Sequence, residues 1–210
     1  MNVIAFANRK GGSGKSTLAV HLAVQAETPE APALLIDTDP QGSLVYWGRL
    51  RKAKTPVVVR AETGELSDIL EAARREDVKW VFIDTQPHHT QEIANAMSAS
   101  SLVVVPLRPA LFDVAAVAAT LEVAKLIGVE VLPVINSAPA RRGIAQAPAV
   151  IGARRALMGL GVTPWSGQIT IRSGFATALA EGLAVQEVEP DGPAATEVQA
   201  LWAEIRSRLQ

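Results

Sequence analysis

The chain has 210 residues, enough for one domain with a sizeable core, and its 49% hydrophobic and 20% charged residues are those of a folded α/β protein rather than a disordered one. A net charge of −1 offers no global basic field to nucleic acid, so any such contact has to come from a local patch. Cysteine is absent, which excludes disulfides, thiol catalysis, iron–sulfur clusters and cysteine-based zinc sites.

Short apolar runs alternate with helical patterns from end to end. Strands are predicted at 3–7, 33–36, 57–59, 80–83, 102–105 and 129–135, with helices at 15–26, 42–51, 65–75, 91–99 and 115–127. Several runs are continuously apolar, the mark of parallel strands covered on both faces. Right-handed βαβ crossovers then give a single doubly wound, mainly parallel sheet flanked by helices. No linker or fixed-period repeat divides the chain, so residues 1–210 are expected to form one domain. The first strand begins at once, with no basic leader, and no uncharged apolar run reaches the roughly 18–20 residues of a membrane span. A cytoplasmic protein without a membrane partner is the expectation.

The first predicted strand runs into Asn8-Arg9-Lys10-Gly11-Gly12-Ser13-Gly14-Lys15-Ser16-Thr17, and a helical pattern follows. Strand, glycine-rich turn and helix are the context a phosphate loop requires. Glycines let consecutive backbone N–H groups converge on an anion, and the helix N-terminus adds partial positive charge. Lys15 would reach the β- and γ-phosphates and the Ser16 hydroxyl would ligate Mg²⁺. The general pattern G-x-x-x-x-G-K-[ST] asks for glycine where Arg9 stands, and a second lysine, Lys10, sits at the mouth of the loop. These residues resemble the deviant Walker A box, K-G-G-x-G-K-[ST], of the ParA/MinD family of ATPases. The resemblance implies ATP and Mg²⁺ as cofactors, residues 10–17 as the nucleotide cradle, and a homodimer with two ATP molecules sandwiched. Lys10 would then reach across to the partner's nucleotide.

The second predicted strand ends in Asp37-Thr38-Asp39-Pro40-Gln41-Gly42. Two carboxylates at a strand's carboxyl end lie where α/β sheets bind ligands, and either could orient water or surround a metal. An Asx turn capping the next helix is the equal alternative on the residues alone. The family's second signature, D-x-D-P-Q-[GM], resolves this by resemblance: Asp39 positions water and Asp37 belongs to the metal's surroundings. Trp80-Val81-Phe82-Ile83-Asp84 has the form of a Walker B strand, with Asp84 holding Mg²⁺ through water. The family continues with Thr-Pro-Pro, whereas this chain has Thr85-Gln86-Pro87, so Gln86 is a departure that bears on how the loop senses the γ-phosphate. His88 and His89 do not make a zinc site, since sequence neighbours point apart and only His21 remains elsewhere.

Further on, Pro106-Leu107-Arg108-Pro109 resembles the family's loop at the dimer interface. Asn136 ends the sixth strand, where the family often places an asparagine near adenine; a turn asparagine is the competing reading. The last third carries Arg141, Arg142, Arg154, Arg155 and Arg172. Clustered arginines suit phosphates of any sequence, against the alternative of a solvated face. By resemblance, Arg154, Arg155 and Arg172 are the DNA-binding candidates, with Arg141 and Arg142 behind them. The terminal helical stripe of Val198, Leu201, Trp202, Ile205 and Leu209 reads as core packing, because its polar face lacks the basic excess that anionic lipid favours. The whole pattern is similar to small ParF-like members. It implies a slow ATPase that dimerises, binds nucleoid DNA without sequence preference, is reset by a ParB-like or other small adaptor, and distributes a cargo. No N-terminal helix-turn-helix extension is expected. Metabolic P-loop ligases of the dethiobiotin-synthetase type and MinD-like membrane ATPases are the alternatives.

Overall fold

The computed structural model describes residues 1–87, 90–141, 143 and 145–209. All six predicted strands are present: β1 (Asn2–Phe6), β2 (Ala33–Asp37), β3 (Val57–Arg60), β4 (Trp80–Asp84), β5 (Leu102–Leu107) and β6 (Val131–Ile135). They pair in parallel as one sheet in the order β3-β2-β4-β1-β5-β6. The predicted helices are α1 (Lys15–Ala26), α2 (Ser43–Leu50), α3 (Leu66–Arg75), α4 (Thr90–Ser98) and α5 (Leu111–Ile127). After β6 come α6 (Pro148–Gly159), α7 (Ser173–Ala180), the short α8 (Val185–Val188) and α9 (Pro193–Leu209). Most boundaries moved by a residue or two, with β5 continuing through Pro106 to Leu107 and β6 starting at Val131, but α5 starts four residues earlier than predicted, at Leu111.

Alternation along each strand divides the core between the two faces. Ile4 and Phe6 of β1 join Leu18 and Leu22 of α1, Trp47 of α2 and Val198, Leu201 and Ile205 of α9. Val3 and Ala5 meet Leu70 and Ala73 of α3, while Val103 and Val105 of β5 meet Val117 of α5 and Leu157 of α6. Both faces are therefore covered, which is why these strands read as unbroken apolar runs. The α9 stripe lies in this core, with Trp202 edge-on to Trp80 at a centroid distance of 4.6 Å. Its apolar side is not available to lipid. Among the described residues no helix is long and apolar enough to cross a membrane.

One polar group lies deep in this core. His21 of α1 is fully buried 5.0 Å from the Phe175 ring, and its Nδ1 donates to the Thr17 carbonyl at 2.8 Å. Burial drives the imidazole down to about 4, so it is neutral in the folded chain. Below its ordinary range the unfolded chain takes up a proton that the folded chain refuses, and stability is lost as pH falls. The loss from this group between pH 7 and 5 is about 2 kcal/mol. Another buried group, Asp84, titrates with the opposite sign, so the effect is read as a difference between variants. In denaturant melts, the stability of His21→Leu relative to wild type should move by about 2 kcal/mol in the variant's favour on going from pH 7 to pH 5.

Candidate active site

The carboxyl edge of β1 delivers the chain into the loop of residues 7–14, and α1 starts at Lys15. Gly14 caps that helix in the left-handed region (φ 100°), and a Cβ there would lie 2.0 Å from the Asn136 amide nitrogen, so only glycine fits. The loop is braced from behind. Asn8 donates through Nδ2 to the Pro106 carbonyl at 2.8 Å and accepts from the Lys10 N–H at 2.8 Å. Asn136 donates to the Ser13 carbonyl at 2.7 Å, which ties the end of β6 to the loop. Asn136 thus braces the loop from the end of β6. Gly11, Gly12, Gly14, Lys15, Ser16 and Thr17 line a cleft of about 230 Å³, with Asp39 and Pro87 on its other side.

Lys15 is buried and reaches the Asn8 carbonyl at 3.3 Å. Burial pulls its ammonium down, and Asp84 and Asp39 push back. Strand register sets Phe6, Asp84 and Asp37 side by side at the ends of β1, β4 and β2. Both aspartates are fully buried, yet their surroundings differ. Asp37 accepts from Leu44 N–H at 2.8 Å, Val45 N–H at 3.1 Å and Asp39 N–H at 3.1 Å, so it caps the start of α2. Burial raises its carboxyl and these bonds oppose the rise. Asp84 has no partner on either oxygen. Burial pushes it up to about 7, with Ser16 nearby countering and Asp37 adding to the rise. An orphaned buried carboxylate beside the Ser16 hydroxyl fits a hydrated cation that shares its shell with phosphate oxygens. Among the described residues no cluster of three or more His, Asp or Glu side chains could hold a metal alone.

Lys10 is bound to Asp113 of α5, 103 residues away. Arg108 donates to the other Asp113 oxygen at 3.0 Å. Burial alone would raise the Asp113 carboxyl; the bonds from Lys10 and Arg108 outweigh it and hold it below the ordinary range. Asn8 and Arg108 lie in stretches singled out above, but Asp113 carries no signal in the sequence that marks it as a site residue, and the partners of all three are chosen by the fold.

The arginines separate into engaged and free ones. Arg154 donates to the Trp165 carbonyl at 2.5 Å, to Ser166 at 2.9 Å and to Gly167. Arg172 pairs with Glu197 at 3.1 Å. Both therefore hold the 165–172 segment, and Arg172 keeps about a third of its side chain exposed while it does so. Arg155 and Arg141 are exposed, and among the described residues neither has an ion-pair partner. Arg142, His88 and His89 lie outside the described residues.

A phosphate loop at the central strand of a doubly wound parallel sheet, with an acidic strand end beside it, defines a P-loop nucleotide-binding protein. The profile of the CobQ/CobB/MinD/ParA nucleotide-binding domain matches residues 4–129, and the chain belongs to this family. Its ParA/MinD branch consists of ATPases. The protein ParA of Rhizobium radiobacter is 30% identical over 115 residues, 54% of this chain and 51% of that protein, so the match spans about half of the relative's length. The maintenance of carboxysome distribution protein A (McdA) of Gloeobacter kilaueensis is 29% identical over 209 residues, 99% of this chain and 93% of that protein. In fold, the chain superposes on apo McdA from Cyanothece with a TM-score of 0.77 over 100% of both chains, at 17% identity.

The orphaned Asp84 gives a direct test. At pH 8 the nucleotide-free protein carries an unpaired buried charge, which Asp84→Asn removes. The variant should be more stable by about 1–3 kcal/mol at that pH. The gain should fade as pH falls below 7, where the wild-type carboxyl is protonated in the fold. Calorimetry should show at the same time that Mg²⁺ no longer strengthens its ATP binding.

Proposed function

We propose that this protein is an ATP-dependent dimerising ATPase that binds DNA without sequence preference and positions a cargo. The observation that carries this reading is the division of labour between the two lysines. Lys15 lies in the cradle where phosphates would sit, while Lys10 is held at its mouth by Asp113. Lys15 serves the phosphates of its own chain, which leaves the lysine at the mouth to face a partner: with two nucleotides face to face, Lys10 would cross to the partner's phosphates. When it leaves, Arg108 still pairs with Asp113, so the buried carboxylate is not orphaned.

In the cycle, the N–H groups of residues 11–17 and Lys15 bind the phosphates, and Asp84 and Ser16 would hold Mg²⁺, which neutralises phosphate charge when bound. Asp39 faces the cleft and orients the attacking water. Hydrolysis is slow, and a ParB-like or other small adaptor stimulates it. The cargo is a plasmid, a chromosome region or a protein body; the near full-length likeness to a protein named for carboxysome distribution supports positioning of this type. The exposed Arg155 and Arg141 are the residues we assign to DNA contact, and a protein holding DNA through them would work at the nucleoid.

Two measurements test this. Lys10→Ala should bind ATP as a monomer within about threefold of wild type but fail to dimerise in sedimentation with ATP, and fail to retain DNA. Asp39→Ala, slowed in hydrolysis, is the dimer control; equal dimerisation by Lys10→Ala would sink the trans role. For DNA, Arg155→Ala should weaken binding equally for unrelated sequences and lower the log–log salt slope by about 1. Arg154→Ala should instead cost roughly 1–3 kcal/mol of stability, because it strips partners from three loop carbonyls.

A further inference from the structure

Next to the nucleotide cleft, on the other flank of Asp39, lies a second cavity of about 70 Å³ formed by the loops after β2, β3 and β4. Its size decides what it can hold. A bound water needs on the order of 10–15 Å³ by the same measure, and a small-molecule substrate needs roughly 300–1,000 Å³. It therefore suits a few waters and excludes an acid or amine acceptor of the ligase kind. Its lining is mixed: Thr38, Asp39, Arg60, Gln86, Glu92 and Asn95 contribute polar groups, and Pro40, Ala61 and Leu66 complete the wall. Glu92 accepts from the Thr63 hydroxyl at 2.8 Å through one oxygen, and its other oxygen is buried without a partner. Gln86 is only 7% exposed, and among the described residues its amide makes no hydrogen bond. An amide at the wall of this cavity is open to the waters it holds.

The cavity is also in the right place. Asp39 lines both it and the phosphate cleft, and Pro87, which follows Gln86, lines the cleft. The loops are clamped together, since Thr38 donates through N–H and hydroxyl to the Asp84 carbonyl at 3.1 and 2.8 Å. Thr85 donates to the Phe6 carbonyl at 2.7 Å, which fixes the strand end before Gln86.

We propose that Gln86 is a second water-orienting residue for ATP hydrolysis, acting with Asp39 from this cavity; the inference rests on the ATPase reading above. The water oxygen forms a bond to the γ-phosphorus, the bridging P–O bond to the β-phosphate breaks, and the water's proton passes to the released phosphate. An amide suits the task because its carbonyl accepts a water hydrogen while its NH₂ donates to an oxygen, without adding charge beside the phosphates. A glutamine orients water in this way in the GTPases.

The test is steady-state hydrolysis with Mg²⁺-ATP, together with ATP affinity and melting temperature, for wild type, Gln86→Met and Gln86→Glu. Met keeps the volume and loses the amide, and Glu restores an acceptor. Gln86→Met should lower kcat about 10- to 100-fold, with KM, ATP affinity and melting temperature unchanged, and Gln86→Glu, which keeps an acceptor but loses the NH₂ donor and adds charge, should recover only a small part of the rate. A Met variant within twofold of the wild-type kcat overturns the role, as does a fall in kcat that tracks lost affinity or stability. A wild-type protein that does not hydrolyse ATP under any of these conditions overturns the ATPase reading itself, and this inference with it.

Discussion

The structure turns on charge buried at the carboxyl edge of one sheet. Asp37, Asp84 and Lys15 lie at the ends of β2 and β4 and at the start of α1, all nearly or fully out of water. Burial penalises each ionised group by several kcal/mol unless a partner is supplied. Six parallel strands with both faces covered make that burial unavoidable, because only the edge is left open to a ligand. The fold is rigid where it must be so: Asn8, Asn136, Thr38 and Thr85 each fasten a loop to another strand's end.

Satisfaction, rather than position, separates the acidic residues. Asp37 and Asp84 are neighbours in register and equally buried, but one accepts three backbone N–H groups and the other accepts none. The first is complete as a helix cap. The second is complete only with a cation beside it, and its raised proton affinity is the physical sign of that incompleteness. A group kept unsatisfied by an otherwise well-bonded shell is a store of binding free energy for its ligand.

The same logic governs the cations. Arg154, Arg172 and Arg51 donate to carbonyls or carboxylates within the chain and serve the fold. Lys10 occupies an intermediate state, since its partner Asp113 is shared with Arg108 and stays paired if Lys10 departs. Interaction strength alone would not reveal this difference. The count of partners on each side of the bond does.

The sequence by itself determined the sheet class, the element order and the phosphate loop. Hydrophobic periodicity, glycine placement and the Gly-Lys-Ser-Thr run are local signals, and the physics behind them acts within a few residues. The apolar stripe of α9 was legible as core for the same reason. Tertiary structure decided which polar residues are used up. Asp37 capping α2, Arg154 holding carbonyls at 165–167, Asn136 bracing Ser13 and Asp113 gripping Lys10 are pairings whose partners are set by the fold; the Asn136 and Asp113 pairs span more than a hundred residues. A side chain's chemistry states what it can bond, but the bond it makes depends on what the folded chain brings within about 3 Å of it. Gln86 shows both halves: its departure from the family's proline is visible in the sequence, and the small cavity that its side chain lines with Asp39 exists only once three strand ends have come together.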